Sequence, residues 1–121
     1  MIDFEMAVKN AVWAVFGNVV LVLCCYFHYA QCLWRQIQAL GKQGQYGRDM
    51  QFRRYVHMFT ALAFVHPDQV RHYFDTLVNS LPPNYLDDLR GFIAYFEANW
   101  IGRNAANPPR YDMELWNVHH R

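Results

Sequence analysis

A chain of 121 residues, 54% hydrophobic and only 17% charged, can bury one core and is too apolar for wholesale disorder. Eleven basic and ten acidic residues leave a formal net charge of +1, which excludes the strong basic excess of a domain that binds nucleic acid by charge alone. The three cysteines Cys24, Cys25 and Cys32 form an odd cluster that excludes a disulfide framework and suits a reducing compartment.

In chain order, Phe4, Val8, Ala11, Val12 and Val15 fall on one face at helical spacing. Asp3 is a candidate N-cap, and Gly17-Asn18 supplies a left-handed stop. Val19-Val20-Leu21-Val22-Leu23 is a short β-branched and aliphatic run behind that turn, which predicts a strand buried on both faces. No later segment offers a convincing second strand, so the fold class expected is mainly α. From Asn10 to Trp34 no residue carries a formal charge, a stretch long enough to span a bilayer. Gly17-Asn18 in its middle and His28 and Gln31 beyond argue against a membrane helix. Asp3 and Glu5, with no basic residues before the apolar run, argue against a signal peptide.

Beyond Leu23 the period is helical. Ala30, Leu33, Trp34 and Ile37 form a stripe closing at Leu40-Gly41, and Lys42 to Gly47 reads as a glycine-punctuated loop. Asp49 can cap a helix with Phe52, Tyr55, Val56, Phe59 and Ala63 on one side. Pro67 suits the first turn of the next, which carries Val70, Tyr73, Phe74, Leu77, Val78 and Leu81 and ends at Pro82-Pro83. A further helix carries Leu89, Ile93, Phe96 and Trp100 and stops near Gly102; after a loop holding Pro108-Pro109, Leu115-Trp116 begins a last short element.

Cys25 and His28 form Cys-x-x-His at the start of the second helix, a spacing at which thiolate and imidazole can share a zinc ion. Two ligands do not complete a site, and Cys24, Cys32, His57, His66 or His119-His120 would have to supply the rest. The alternative is a buried thiol and a hydrogen-bonded histidine that lock a strand-to-helix corner. Cys25 as a nucleophile with His28 as base lacks an identifiable third group. Asp3 and Glu5 are explained by capping and by the positive end of a helix dipole. Arg53-Arg54 with Arg48 is the densest basic stretch, and reads as a solvated helix face. The aromatic stripe of Phe52, Phe59, Phe74, Phe96 and Trp100 reads as core.

The segments Asp3-Phe4-Glu5, Cys25-Tyr26-Phe27-His28-Tyr29, Leu33-Trp34-Arg35 and Leu40-Gly41 resemble, in their order, the Mutator-like (MULE) transposase domain. The likeness continues through Ala61-Leu62-Ala63-Phe64-Val65, Tyr95-Phe96, Trp100-Ile101-Gly102, Pro108-Pro109-Arg110 and Leu115-Trp116-Asn117-Val118. The resemblance implies an RNase H-like fold of the DDE type, three catalytic acids, and an α-helical insertion before the third. It places residues 1–40 as a remnant of the catalytic core (one helix, one buried strand, the Cys-x-x-His helix). Residues 41–121 become the α-helical insertion domain with its C-terminal loop.

In that frame Asp3 stands at the second catalytic acid, while Glu114 lies in the tryptophan motif and is not the third. The implied cofactor is Mg or Mn, held by three carboxylates that activate the attacking oxygen and stabilise the leaving one. A lone carboxylate binds hydrated Mg²⁺ weakly, so a polypeptide with one acid of three is expected to be inactive alone. The implied partner is DNA in intact relatives, with weak or no binding by this chain alone, and the implied location is nuclear or cytosolic. The competing expectation is a non-catalytic helical module with a protein partner or self-association; a small membrane-anchored protein ranks third.

Overall fold

In the computed structural model of the chain, which describes residues 7, 8, 10, 11 and 18–119, the segment expected to be a strand is helix. Asn18–Ala39 form one α-helix of 22 residues, α1, that takes in Val19 to Leu23 and the whole Cys-x-x-His sequence. The reason lies in hydrogen bonding. A β-branched residue loses only a few tenths of a kcal/mol in a helix, whereas a strand without a neighbour leaves every ladder N–H and C=O unpaired. No sheet is present among the described residues. The molecule is mainly helical, as expected. Residues 7, 8, 10 and 11 are helical too; Asp3, Glu5 and Gly17 lie outside the described residues.

The α1 stripe is Tyr29, Leu33 and Ile37, each at most 1% exposed, with Trp34 turned partly outward. The helix ends as its glycine requires. Gly41 has φ +71°, its N–H reaches the Gln38 carbonyl, and the Lys42 N–H reaches the Ile37 carbonyl, both at 3.0 Å.

The expected loop after Gly41 is instead a short helix, α2 (Gln43–Arg48). Its glycines do not prevent a single turn and a half, because Tyr46 anchors it, with ring centroids 4.9 Å from Trp34. Asp49 then caps α3 (Met50–Thr60) as expected, its carboxylate accepting from the Gln51 and Phe52 N–H groups at 3.0 and 3.2 Å. A 3₁₀ turn, Ala61–Phe64, continues α3. Pro67 opens a second 3₁₀ turn, Pro67–Gln69, that leads into α4 (Val70–Ser80). Leu81 is extended because the residue before a proline is kept out of the helical region.

The helix expected from Leu89 to near Gly102 is present, and a short helix that the sequence did not announce precedes it. Pro83–Asp88 form α5 and Arg90–Phe96 form α6, and a wide π turn, Glu97–Ile101, follows to Gly102. A last 3₁₀ turn is Met113–Leu115.

The core is aromatic. Phe74 and Phe96 stack at 5.7 Å, and Phe59 meets Phe74 and Phe92 edge-on at 5.9 and 5.6 Å. Each such side chain contributes about 1.5–3 kcal/mol by leaving water. Tyr29, Leu33 and Ile37 belong to this same cluster; α1 packs on α6 and is tied to α3 through Tyr29, while α4 packs on α3.

Candidate functional site

The middle of α1, which carries Cys25 and His28, opens on a pocket of about 330 Å³, closed by Tyr29, Trp100, Tyr111, Leu115 and Trp116. These residues come from three separate parts of the chain. Tyr29 faces inward one turn after Cys25, Trp100 comes from the π turn, and Tyr111 to Trp116 belong to the C-terminal segment. That segment is strapped back over the body. The Tyr111 N–H donates to the Asn99 carbonyl at 2.9 Å, the Val118 N–H to Ala63 at 2.8 Å, and the Asn117 side-chain amide to the Val65 carbonyl at 2.8 Å.

Ring contacts define the pocket wall. Tyr29 stacks on Trp116 at 4.8 Å with 14° between planes, and meets Trp100 edge-on at 5.1 Å. Trp100 stacks on Tyr111 at 4.5 Å. The Tyr29 hydroxyl donates to the Phe59 carbonyl at 3.0 Å. Burial pushes the Tyr29 phenol well above its ordinary value of 10.0, with Tyr26 and Tyr95 adding to the shift. Burial also raises the Tyr95 phenol, which the Trp100 side chain opposes. The buried Trp116 indole N–H has no acceptor among the described atoms. The wall is thus apolar and rigid, suited to gripping a side chain or segment rather than to proton transfer.

His28 Nε2 lies 3.7 Å from Cys32 Sγ, one turn onward, so the imidazole pairs forward along the exposed side of α1. Cys25 sits half-buried at the pocket. Because the segment is a continuous helix and not a strand-to-helix turn, Cys25 and Cys32 stand about 10 Å apart along its axis, too far to share one ion.

The other expected ligands are elsewhere. His57 Nε2 meets the Tyr46 hydroxyl at 2.8 Å, and His66 Nδ1 accepts from the Asp68 N–H at 3.1 Å with its ring beside His119. Among the described residues no group of three His, Cys, Asp or Glu side chains is placed to hold a metal. A tetrahedral zinc site is therefore not completed by the described donors. Asp3, the expected Mg ligand, and His120 lie outside the described residues.

The structure brings together Cys25, His28, Trp100, Leu115 and Trp116, which the sequence had singled out in separate roles, and adds Tyr111, which it had not. Tyr111 carried no periodic signal, because it lies in a loop. No helix among the described residues is long and apolar enough to cross a membrane. Comparison with protein-family models, with curated proteins and with solved structures finds no match to this chain.

Proposed function

We propose that this chain is an internal, mainly helical portion of a Mutator-like transposase of the DDE type, whose intact form cuts and joins DNA. The support is the order of the motif segments along the sequence, together with the meeting of three of them at one pocket. Cys25 and His28, then Trp100, then Leu115-Trp116 are spread over 92 positions and line the same cavity. A shared structural task explains why such segments would occur as a set.

In this reading the pocket is a joint. It clamps the C-terminal strap onto α1 and so fixes the direction in which each leaves the helical body, while Asp3 supplies one of the three acids that hold Mg or Mn. Divalent metal held by those acids would activate the attacking oxygen and stabilise the leaving one. The decisive experiment is to read the genomic sequence around the coding region. An Asp-bearing strand encoded upstream and a Glu-bearing helix downstream, in frame, are expected; finding neither within a few kilobases overturns the proposal.

A second reading, a non-catalytic helical interaction module, draws on the exposed side chains near α1: Phe27 at 65%, Phe64 at 54% and Leu115 at 57%. Single large apolar residues at a surface are common, so this reading needs solution data. A purified chain that remains monomeric at every concentration in sedimentation removes the self-associating form of it.

A further inference from the structure

The near-zero net charge conceals a segregation. Between residues 35 and 57, Arg35, Lys42, Arg48, Arg53 and Arg54 face a single acid, Asp49; five cations against one carboxylate leave +4. Between 58 and 119, Arg71, Arg90, Arg103 and Arg110 stand against Asp68, Asp75, Asp87, Asp88, Glu97, Asp112 and Glu114; four against seven leave −3. The pairing follows the same division. Arg71 is bridged to Glu97 at 2.9 Å and to Asp75 at 3.6 Å, and Arg90 to Asp87 at 3.3 Å. None of the five cations of the first group forms an ion pair with another described residue. Asp49 is engaged by the α3 N–H groups and by the Tyr85 hydroxyl, at 3.0 and 3.1 Å from its two oxygens. Asp88, which approaches α2 from α5, accepts from the Gln45 amide at 2.9 Å.

The same stretch of chain carries aromatic rings, and one of its cations lies over one of them. Trp34, on the α1 stripe but 38% exposed, contacts Tyr46. Tyr46 in turn meets the His57 ring edge-on at 5.8 Å, and the Arg53 guanidinium lies 6.0 Å over its face. Arg53 donates to the Tyr46 and Gly47 carbonyls at 2.9 and 3.3 Å, which holds α2 against α3. Arg35 follows Trp34 on α1, Arg48 ends α2, and Arg54 shares the outer face of α3 with His57, three positions on; all three are exposed.

We infer that the surface formed by the end of α1, α2 and the start of α3 binds a single nucleic-acid strand. Arg35, Arg48 and Arg54 contact the phosphates and Trp34 offers a face to a base. Unpaired guanidinium groups supply the charge complementarity, since each phosphate contact releases a counterion. The partly exposed Trp34 indole on the same helices is the element that favours an unpaired strand over a duplex, whose bases are already stacked. The inference rests on charge placement and ring exposure, not on the transposase reading, and either can fail without the other.

The test is fluorescence anisotropy of a labelled 20-nucleotide oligothymidylate with the full chain. Binding is expected at low salt, with log K falling against log salt at a slope near −2, about −0.7 for each of three contacts. Arg35→Ala with Arg54→Ala flattens the slope by about 1.4. Trp34→Ala weakens binding roughly tenfold at unchanged slope, and Trp34→Phe restores part of it. Arg103→Ala, exposed and outside the surface, changes nothing. Circular dichroism confirms that each variant is folded; if Trp34→Ala is not, Trp34→Phe set against Trp34→Leu carries the comparison. No binding at low salt overturns the inference. So does a loss with Arg103→Ala equal to that of the double variant, tighter binding of the matching duplex, or retention on anionic phospholipid vesicles without binding of the oligonucleotide.

Discussion

The middle of α1 and its C-terminal end are held by different physics. At Cys25 to Tyr29 the contacts are apolar rings, with Tyr29, Trp100 and Trp116 at most 1% exposed and stacked on one another. At Trp34 to Gly41 the neighbouring helices are tied by polar groups: Asp49 to Tyr85, Gln45 to Asp88, Arg53 to the end of α2 and Tyr46 to His57. Ring packing depends on shape and fails when volume is removed. Polar ties depend on protonation and charge, and weaken with acid or salt. The ring-packed region is therefore expected to respond weakly to acid and salt, and the polar ties to respond to both.

The largest expected effect lies in the apolar region. Trp116→Ala removes the ring that stacks on Tyr29 and touches Trp100 and Phe96, at a cost of about 3–5 kcal/mol. That is a large share of the roughly 5–15 kcal/mol available to a domain of this size. Leu115→Ala, one position away but 57% exposed, stays within about 0.5 kcal/mol. Urea denaturation followed by circular dichroism measures both, and comparable losses would remove the distinction between wall and rim.

Two glycines extend the comparison at lower cost. Gly102 ends the π turn at φ +87°, and a Cβ there would lie 2.7 Å from Pro109 Cδ, where the strap crosses. Gly41 ends α1 at φ +71° with nothing within 4 Å of an added Cβ. Gly102→Ala meets both backbone strain and collision, and costs about 2–4 kcal/mol. Gly41→Ala meets strain alone, about 1–2 kcal/mol. If both denaturation midpoints shift equally, the strap is not pressed against the π turn.

How much of this was legible in the sequence follows from what each residue's role depends on. The Asp49 cap and the Gly41 stop were readable because both act on backbone groups within a few residues. The buried stripe of Phe52, Val56 and Phe59 was readable because helical spacing sorts residues by face. Val19 to Leu23 misled because a short apolar run has no period of its own, and only the absence of a neighbouring strand decides for helix. Lys42 to Gly47 misled because two glycines outweighed Tyr46, whose ring contact with Trp34 is tertiary. The same limit governs the pocket. Tyr29, Trp100 and Trp116 share a face only once α1, the π turn and the strap are folded together, and no local spacing encodes that meeting. Cys-x-x-His was visible, but its geometry turned on whether the segment was a corner or a continuous helix, and His28 faces Cys32 as a result.

Tyr29 sits at the border of the two regimes, a buried ring with one polar tie. Tyr29→Phe keeps the ring contacts and loses the hydroxyl bond to Phe59, at about 1 kcal/mol at neutral pH. Burial raises the phenol's folded-state pKa above its unfolded value near 10.0. The folded state therefore holds its proton where the unfolded state has lost it. The associated stability is intact below about pH 10 and declines as pH rises through the folded value. Tyr85 and Tyr95 are raised as well and share this alkaline limb. In Tyr29→Phe the decline above pH 10 becomes shallower without vanishing. An unchanged slope in urea midpoints at high pH would place the sensitivity on the other two phenols.

The smallest effect is expected at the polar end, and there the shape of the pH dependence matters more than its size. The Asp49 carboxyl is held below its usual 3.8, first by the Phe52 N–H, with Tyr85, Gln51 and Gln45 contributing against desolvation. Because the folded pKa is depressed, its contribution is complete above the unfolded value and is lost as pH falls through the folded one. Asn is an equally good N-cap, so Asp49→Asn leaves stability near pH 7 close to that of the parent chain and flattens the loss below about pH 4. Trp116→Ala should do the reverse, lowering the whole curve while keeping its acid slope. Thermal melts of the two variants from pH 7 down to pH 2 separate these outcomes. If Asp49→Asn instead lowers the curve uniformly, the carboxylate acts through shape like the rings at mid-helix, and the division of α1 into a packed middle and a polar end does not hold.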